Sequence, residues 1–62
     1  MLIHIKDNFY IDFGLIYKVY EFDHFIYGDR TVFVMFANGT EDIIEPVYKE
    51  AFIEKLKSYL GI

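Results

Sequence analysis

Few side chains in this sequence are able to do chemistry. Histidine occurs only as His4 and His24, serine only as Ser58, and cysteine is absent. A serine hydroxyl becomes a nucleophile when an imidazole takes its proton and a carboxylate orients that imidazole. Ser58 falls late in a helical pattern, and His4 sits between Ile3 and Ile5 in a strand pattern, so no such triad assembles and His4 reads as a structural histidine. Asp23-His24 with Asp29 offers carboxylate and imidazole ligands of the kind that hold divalent metals. The same residues flank a connection, where polar side chains are ordinary turn chemistry. Glu41-Asp42 is a pair of acids, but acid/base hydrolysis of glycosides needs two carboxyls facing each other across a cleft. Neighbours in a strand point to opposite faces, so these two read as solvation and as negative charge near a helix N-terminus. Gly14, Gly28, Gly39 and Gly61 make no phosphate-cradling loop with a basic partner. No catalytic, cofactor-binding or metal residue is assigned, no cofactor is expected, and the chain reads as non-enzymatic.

Composition narrows the possibilities further. With 62 residues the chain is a single domain, 1–62, close to the size below which one hydrophobic core needs help from disulfides, metals or partners. The lack of cysteine excludes disulfides and thiolate zinc. Hydrophobic residues make up 55% and aromatics 21%, an excess that must be hidden somewhere. Lys18, Glu21, Asp23, Asp29 and Arg30 interrupt the apolar stretches well short of the roughly 20 residues of a spanning helix, and the start Met1-Leu2-Ile3-His4-Ile5-Lys6 lacks the pattern of a signal peptide. The expected setting is the cytoplasm, without a membrane. A net charge of −4 with scattered basic residues argues against direct binding of nucleic acid, which rests on a lysine- and arginine-rich surface.

The elements that position these residues follow from periodicity. Leu2–Lys6 and Phe9–Phe13 are β-rich runs around Asp7-Asn8, the first hairpin. In 15–22, Leu15, Tyr17 and Val19 alternate with Ile16, Lys18, Tyr20 and Phe22. The connection 23–30 has polar ends and an apolar middle, Phe25-Ile26-Tyr27, either a loop tip or an extension of the flanking strands. The segment 31–37 is the strongest strand signal, and Asn38-Gly39 predicts a two-residue hairpin to the strand 40–45. That closure places Val34 beside Ile43 and Phe33 beside Ile44. Pro46 suits the first position of a helix over 46–60, with Tyr48, Phe52, Leu56, Tyr59 and Leu60 along one stripe, Ile53 beside it, and Gly61 as C-cap. The expected class is α+β: a small antiparallel sheet of four or five strands with one C-terminal helix on one face. This order of elements looks loosely like the small β-rich half of FlbD-like flagellar-accessory and regulatory proteins; the likeness is one of pattern, and no functional residue is carried over from it.

One such helix covers one sheet face and leaves the other open. The open face is expected to draw on Tyr10, Ile16, Tyr20, Phe22, Phe33, Met35 and Ile44. Strong coiling into a partly closed barrel is the alternative that hides both apolar sets in one core. Three functions compete. The first is a protein–protein interaction module, a two-fold homodimer joined by face or edge, with Tyr20, Phe22, Phe25, Ile26, Tyr27, Phe33 and Met35 as interaction residues and a larger protein as a possible further partner. The second is a small acidic inhibitor of viral or mobile-element type that blocks a basic nucleic-acid-binding surface of a larger protein. The third, least supported, is a ligand carrier or small enzyme with a pocket between helix and sheet.

Overall fold

The structure is a computed structural model describing residues 1–62. Along the chain run β1 (Leu2–Lys6), β2 (Phe9–Asp12), a 3₁₀ turn (Phe13–Leu15), β3 (Ile16–His24), β4 (Gly28–Phe36), β5 (Glu41–Ile44) and α1 (Pro46–Leu60). The class is α+β with antiparallel pairing throughout, but the strands do not form the expected single sheet. They divide into a two-stranded sheet, β1-β2, and a three-stranded sheet, β3-β4-β5. The break lies at Asp12, whose Oδ1 accepts from the Gly14 N–H at 2.9 Å and caps the 3₁₀ turn. That side-chain bond competes with strand pairing and redirects the chain before β3 begins. Phe13, expected at the end of a strand, is instead buried within this turn.

Two register shifts set which side chains face inward along β3 and β4. Ile16 pairs with Phe36 and Lys18 with Met35, so Tyr17 is an extra residue on β3. Such a bulge resets the alternation. Ile16 therefore packs against the core with Val19, rather than sharing a face with Lys18, Tyr20 and Phe22. At the other end Phe22 pairs with Thr31 and His24 with Gly28, which puts the extra residue on β4, next to Arg30 at φ +59. The strands thus extend into the 23–30 connection and leave Phe25-Ile26-Tyr27 as a three-residue tip.

The β4-β5 turn also departs from expectation. A two-residue type I′ turn needs positive φ at both Asn38 and Gly39, and only Gly39 has it, at +90. The loop holds three residues instead. The Phe36 N–H donates to the Thr40 carbonyl at 2.8 Å, and the Gly39 N–H donates to the Phe36 carbonyl at 2.9 Å. Asn38 Oδ1 accepts from the Thr40 N–H at 3.0 Å and its hydroxyl at 2.7 Å, stabilising the longer form. Register moves by one: Phe33 lies opposite Ile43, Val32 opposite Ile44, and Val34 opposite Asp42. Ile44 therefore enters the core and Ile43 takes the place expected of it on the other face.

The core comprises Ile5, Ile11 and Phe13 from the hairpin side, Val32, Val34 and Ile44 from the larger sheet, and Phe52 from α1. Hairpin and helix together cover one face of β3-β4-β5. Pro46 opens α1 after Glu45, which has extended dihedrals and no side-chain cap bond. Tyr48, Ala51, Ile53 and Leu56 flank Phe52 against the core. The expected stripe stops there, because Tyr59 and Leu60 are more than half exposed and Tyr59 meets the core through an edge-on contact with the Phe13 ring at 5.3 Å. Gly61 ends the helix at φ +78, with the Ile62 N–H reaching the Lys57 carbonyl at 3.0 Å. No helix is long and apolar enough to cross a membrane.

Phe52 is the one helix residue without exposure, and it meets Phe13 edge-on at 5.7 Å. Phe52→Ala is expected to cost about 3–5 kcal/mol, a large part of the about 5–15 kcal/mol available to a domain, and to leave the chain largely unfolded in a urea titration followed by far-UV dichroism. A midpoint within experimental error of the wild type would refute this account of the core.

Candidate functional site

The uncovered face of β3-β4-β5 collects Lys18, Tyr20 and Phe22 from β3, Thr31, Phe33 and Met35 from β4, and Glu41 and Ile43 from β5. The regular pairing between the two bulges puts Tyr20 opposite Phe33, and their rings stack at 5.1 Å with 10° between planes. The Tyr20 hydroxyl donates to Glu41 Oε2 at 2.6 Å, so one side chain on the outer strand reaches across β4 to β5. Lys18 Nζ lies 5.2 Å from the Tyr20 ring centroid, within range of a cation–π contact. The hydrogen bond to Glu41 first, and burial second, push the Tyr20 phenol above its ordinary 10.0. Both charges of this face thus engage Tyr20.

The apolar tip stands at the end of the same face. Phe22 is 67% exposed, Phe25 92%, Ile26 67% and Tyr27 38%, whereas Tyr20, Phe33, Met35 and Ile43 are half-buried. His24 organises the tip. Its ring stacks on Phe25 at 4.9 Å and on Tyr27 at 5.1 Å, and lies 6.1 Å from Phe33. Its Nδ1 accepts from the Ile26 N–H at 3.1 Å and the Tyr27 N–H at 3.2 Å. Thr31, opposite Phe22, is the one buried member of this face, its hydroxyl donating to the Gly28 carbonyl at 2.9 Å.

Of the residues expected on this face, Tyr20, Phe22, Phe33 and Met35 lie there, with Phe25, Ile26 and Tyr27 beyond its end. Ile16 and Ile44 belong to the opposite, core side, and Tyr10 stands on the outer face of the β1-β2 hairpin against His4, at 4.7 Å. Sequence reasoning missed Ile43, whose place depends on turn length, and His24, since side-chain acceptors for loop amides are usually signalled by Asp, Asn, Ser or Thr. His4 Nε2 donates to the Asp7 carbonyl at 2.7 Å and so ties the first turn to β1. Glu41 and Asp42 diverge to the two faces of β5. No cluster of three or more His, Asp and Glu is arranged to hold a metal ion. No family model, curated protein or solved structure matches the chain.

On the covered side, Glu21 links three elements. Its Oε2 lies 3.4 Å from Lys49 Nζ on α1 and its Oε1 3.4 Å from Arg30 Nε on β4, while Lys49 also donates to the Arg30 carbonyl at 2.6 Å. Burial on its own raises the Glu21 carboxyl; Lys49 and Arg30 outweigh it and leave the group below its ordinary 4.5.

Two titrations test these contacts. In a spectrophotometric alkaline titration, Tyr20 is expected to ionise at higher pH in the wild type than in Glu41→Gln, with Tyr20→Phe identifying its component; equal values would rule out the hydrogen bond as the cause. For Glu21 the folded carboxyl is the stronger acid, so its contribution is present at neutral pH and disappears as pH falls through the folded value, below 4.5. Glu21→Gln should lower the melting temperature at pH 7, and the two melting curves should converge in acid. A gap that persists after the carboxyl is protonated would contradict the ion pairs.

Proposed function

We propose that this chain is a small, non-enzymatic protein–protein interaction module that acts as a homodimer, burying the open face of β3-β4-β5 and the Phe25–Tyr27 tip against a second copy in the cytoplasm. One observation carries the reading: Phe22, Phe25 and Tyr27 stand out at the end of a sheet face whose other apolar residues are half-buried. At about 200 Å² per ring, the exposed parts of Phe22, Phe25 and Tyr27 alone present about 400 Å², half of the roughly 800 Å² that each partner buries in a standard interface. A second copy is the occupant favoured by symmetry, since two-fold assemblies of one apolar patch on itself are the commonest soluble oligomers.

Charge distribution weighs against the acidic-inhibitor alternative. On the open face the single acid, Glu41, is engaged by the Tyr20 hydroxyl, and Lys18 lies by the Tyr20 ring. Association here is driven by apolar burial and changes little with salt, whereas acids engaging a basic partner would give binding that weakens steeply as salt is added.

Light scattering behind size exclusion, over a concentration series, is expected to give twice the 7.4 kDa chain mass. Phe22→Lys, at an exposed position that the fold does not need, should return it to a single chain mass with unchanged far-UV dichroism. A wild type that remains at one chain mass up to millimolar concentration would overturn the proposal.

A further inference from the structure

The tip that carries Phe25, the most exposed ring of the chain, is held by a hydrogen-bond acceptor that protonation turns into a donor. The Ile26 and Tyr27 N–H groups both end on His24 Nδ1, at 3.1 and 3.2 Å. A ring nitrogen accepts only while it carries no proton, so in this geometry the proton of the imidazole sits on Nε2. Protonating Nδ1 turns the acceptor into a donor and points three N–H groups at one another. Neither amide donates to a backbone carbonyl, so His24 is their sole partner within the chain.

We propose that His24 is an acid-sensitive lock on the Phe25–Tyr27 tip, and that its protonation releases the tip and weakens self-association. The regulatory half of this proposal rests on the homodimer reading above; the lock itself does not. The surroundings suit such a device. The rings packed on His24 are Phe25 and Tyr27 from the tip and Phe33 from β4. The nearest charged neighbours in the chain are Asp23 on β3, beside it, and Asp29 and Arg30 at the start of β4. Arg30 is directed to Glu21 on the other side of the sheet. From the rest of the open face come Tyr20, Lys18 and Glu41, already engaged with one another. None of these groups is hydrogen-bonded to His24, so protonation gains no prearranged acceptor in return for the two bonds it removes.

The test uses the full chain, isotopically labelled, taken from about pH 8 to about pH 5, the interval in which imidazoles change charge. The Ile26 and Tyr27 amide signals are expected to move in step with the His24 ring signals. Their protection against hydrogen exchange, corrected for the intrinsic pH dependence, should fall at least about fivefold, the loss corresponding to two modest hydrogen bonds. The mass measured in parallel should drop from two chains toward one. His24→Asn keeps an acceptor two residues before Ile26 that does not titrate, so this variant should hold the tip and the mass constant over the same range. Amides indifferent to the His24 titration, or an identical acid response in His24→Asn, would overturn the lock. A responding tip with an unchanged two-chain mass would overturn its control of association. A one-chain mass already at neutral pH would instead overturn the homodimer reading, while the amides still decide the lock.

Discussion

One face of a three-stranded sheet is all that seven buried side chains can close, and the rest of the molecule follows from that limit. Phe52 enters between the β1-β2 hairpin and the larger sheet, and Ile5, Ile11, Phe13, Val32, Val34 and Ile44 close around it. Two separate covers, a hairpin and a helix, share this one side of the sheet. The 3₁₀ turn after Asp12 makes this possible by folding β1-β2 back onto the sheet instead of adding it at the edge. Once both covers lie on one side, nothing within the chain is left for the other.

The exposed side is consequently organised by pairs of side chains rather than by a core. Tyr20 does most of this, stacking on Phe33 and hydrogen-bonding to Glu41 while Lys18 approaches its ring. Such contacts fix geometry without removing the surface from water. β3 meanwhile has a free outer edge over nine residues, a place where sheets tend to grow. Lys18, Glu21 and the bulge at Tyr17 interrupt that edge with charge and irregular backbone.

Much of this was legible in the residues, and the failures share one cause. The helix was readable because Pro46 and Gly61 mark its ends by their own dihedral preferences. The strands were readable from β-branched and aromatic runs. What periodicity cannot supply is phase. The bulge at Tyr17 has no marker in Leu15-Ile16-Tyr17-Lys18, where apolar residues lie on both sides of any break, so Ile16 was placed on the wrong face. The Asn38-Gly39 pair signals a reversal but fits both a two-residue and a three-residue loop, and Ile43 and Ile44 exchanged places as a result. For the candidate site, the aromatic members were visible as surplus, whereas the role of His24 depends on a loop conformation that no residue pattern announces.

The strand Glu41-Asp42-Ile43-Ile44 has a property that its register conceals. Read as acid, acid, isoleucine, isoleucine, it is almost unchanged when slid by one position, so either alignment with β4 offers one isoleucine to the core and one to the open face. Hydrophobicity is nearly silent on the choice between them. The choice is left to two small polar devices, the Asn38 side chain that holds the longer turn and the Tyr20–Glu41 hydrogen bond that only one alignment allows. The alignment of this edge strand is therefore a stored binary choice, written in a few hydrogen bonds at its N-terminal end rather than in the apolar residues that follow.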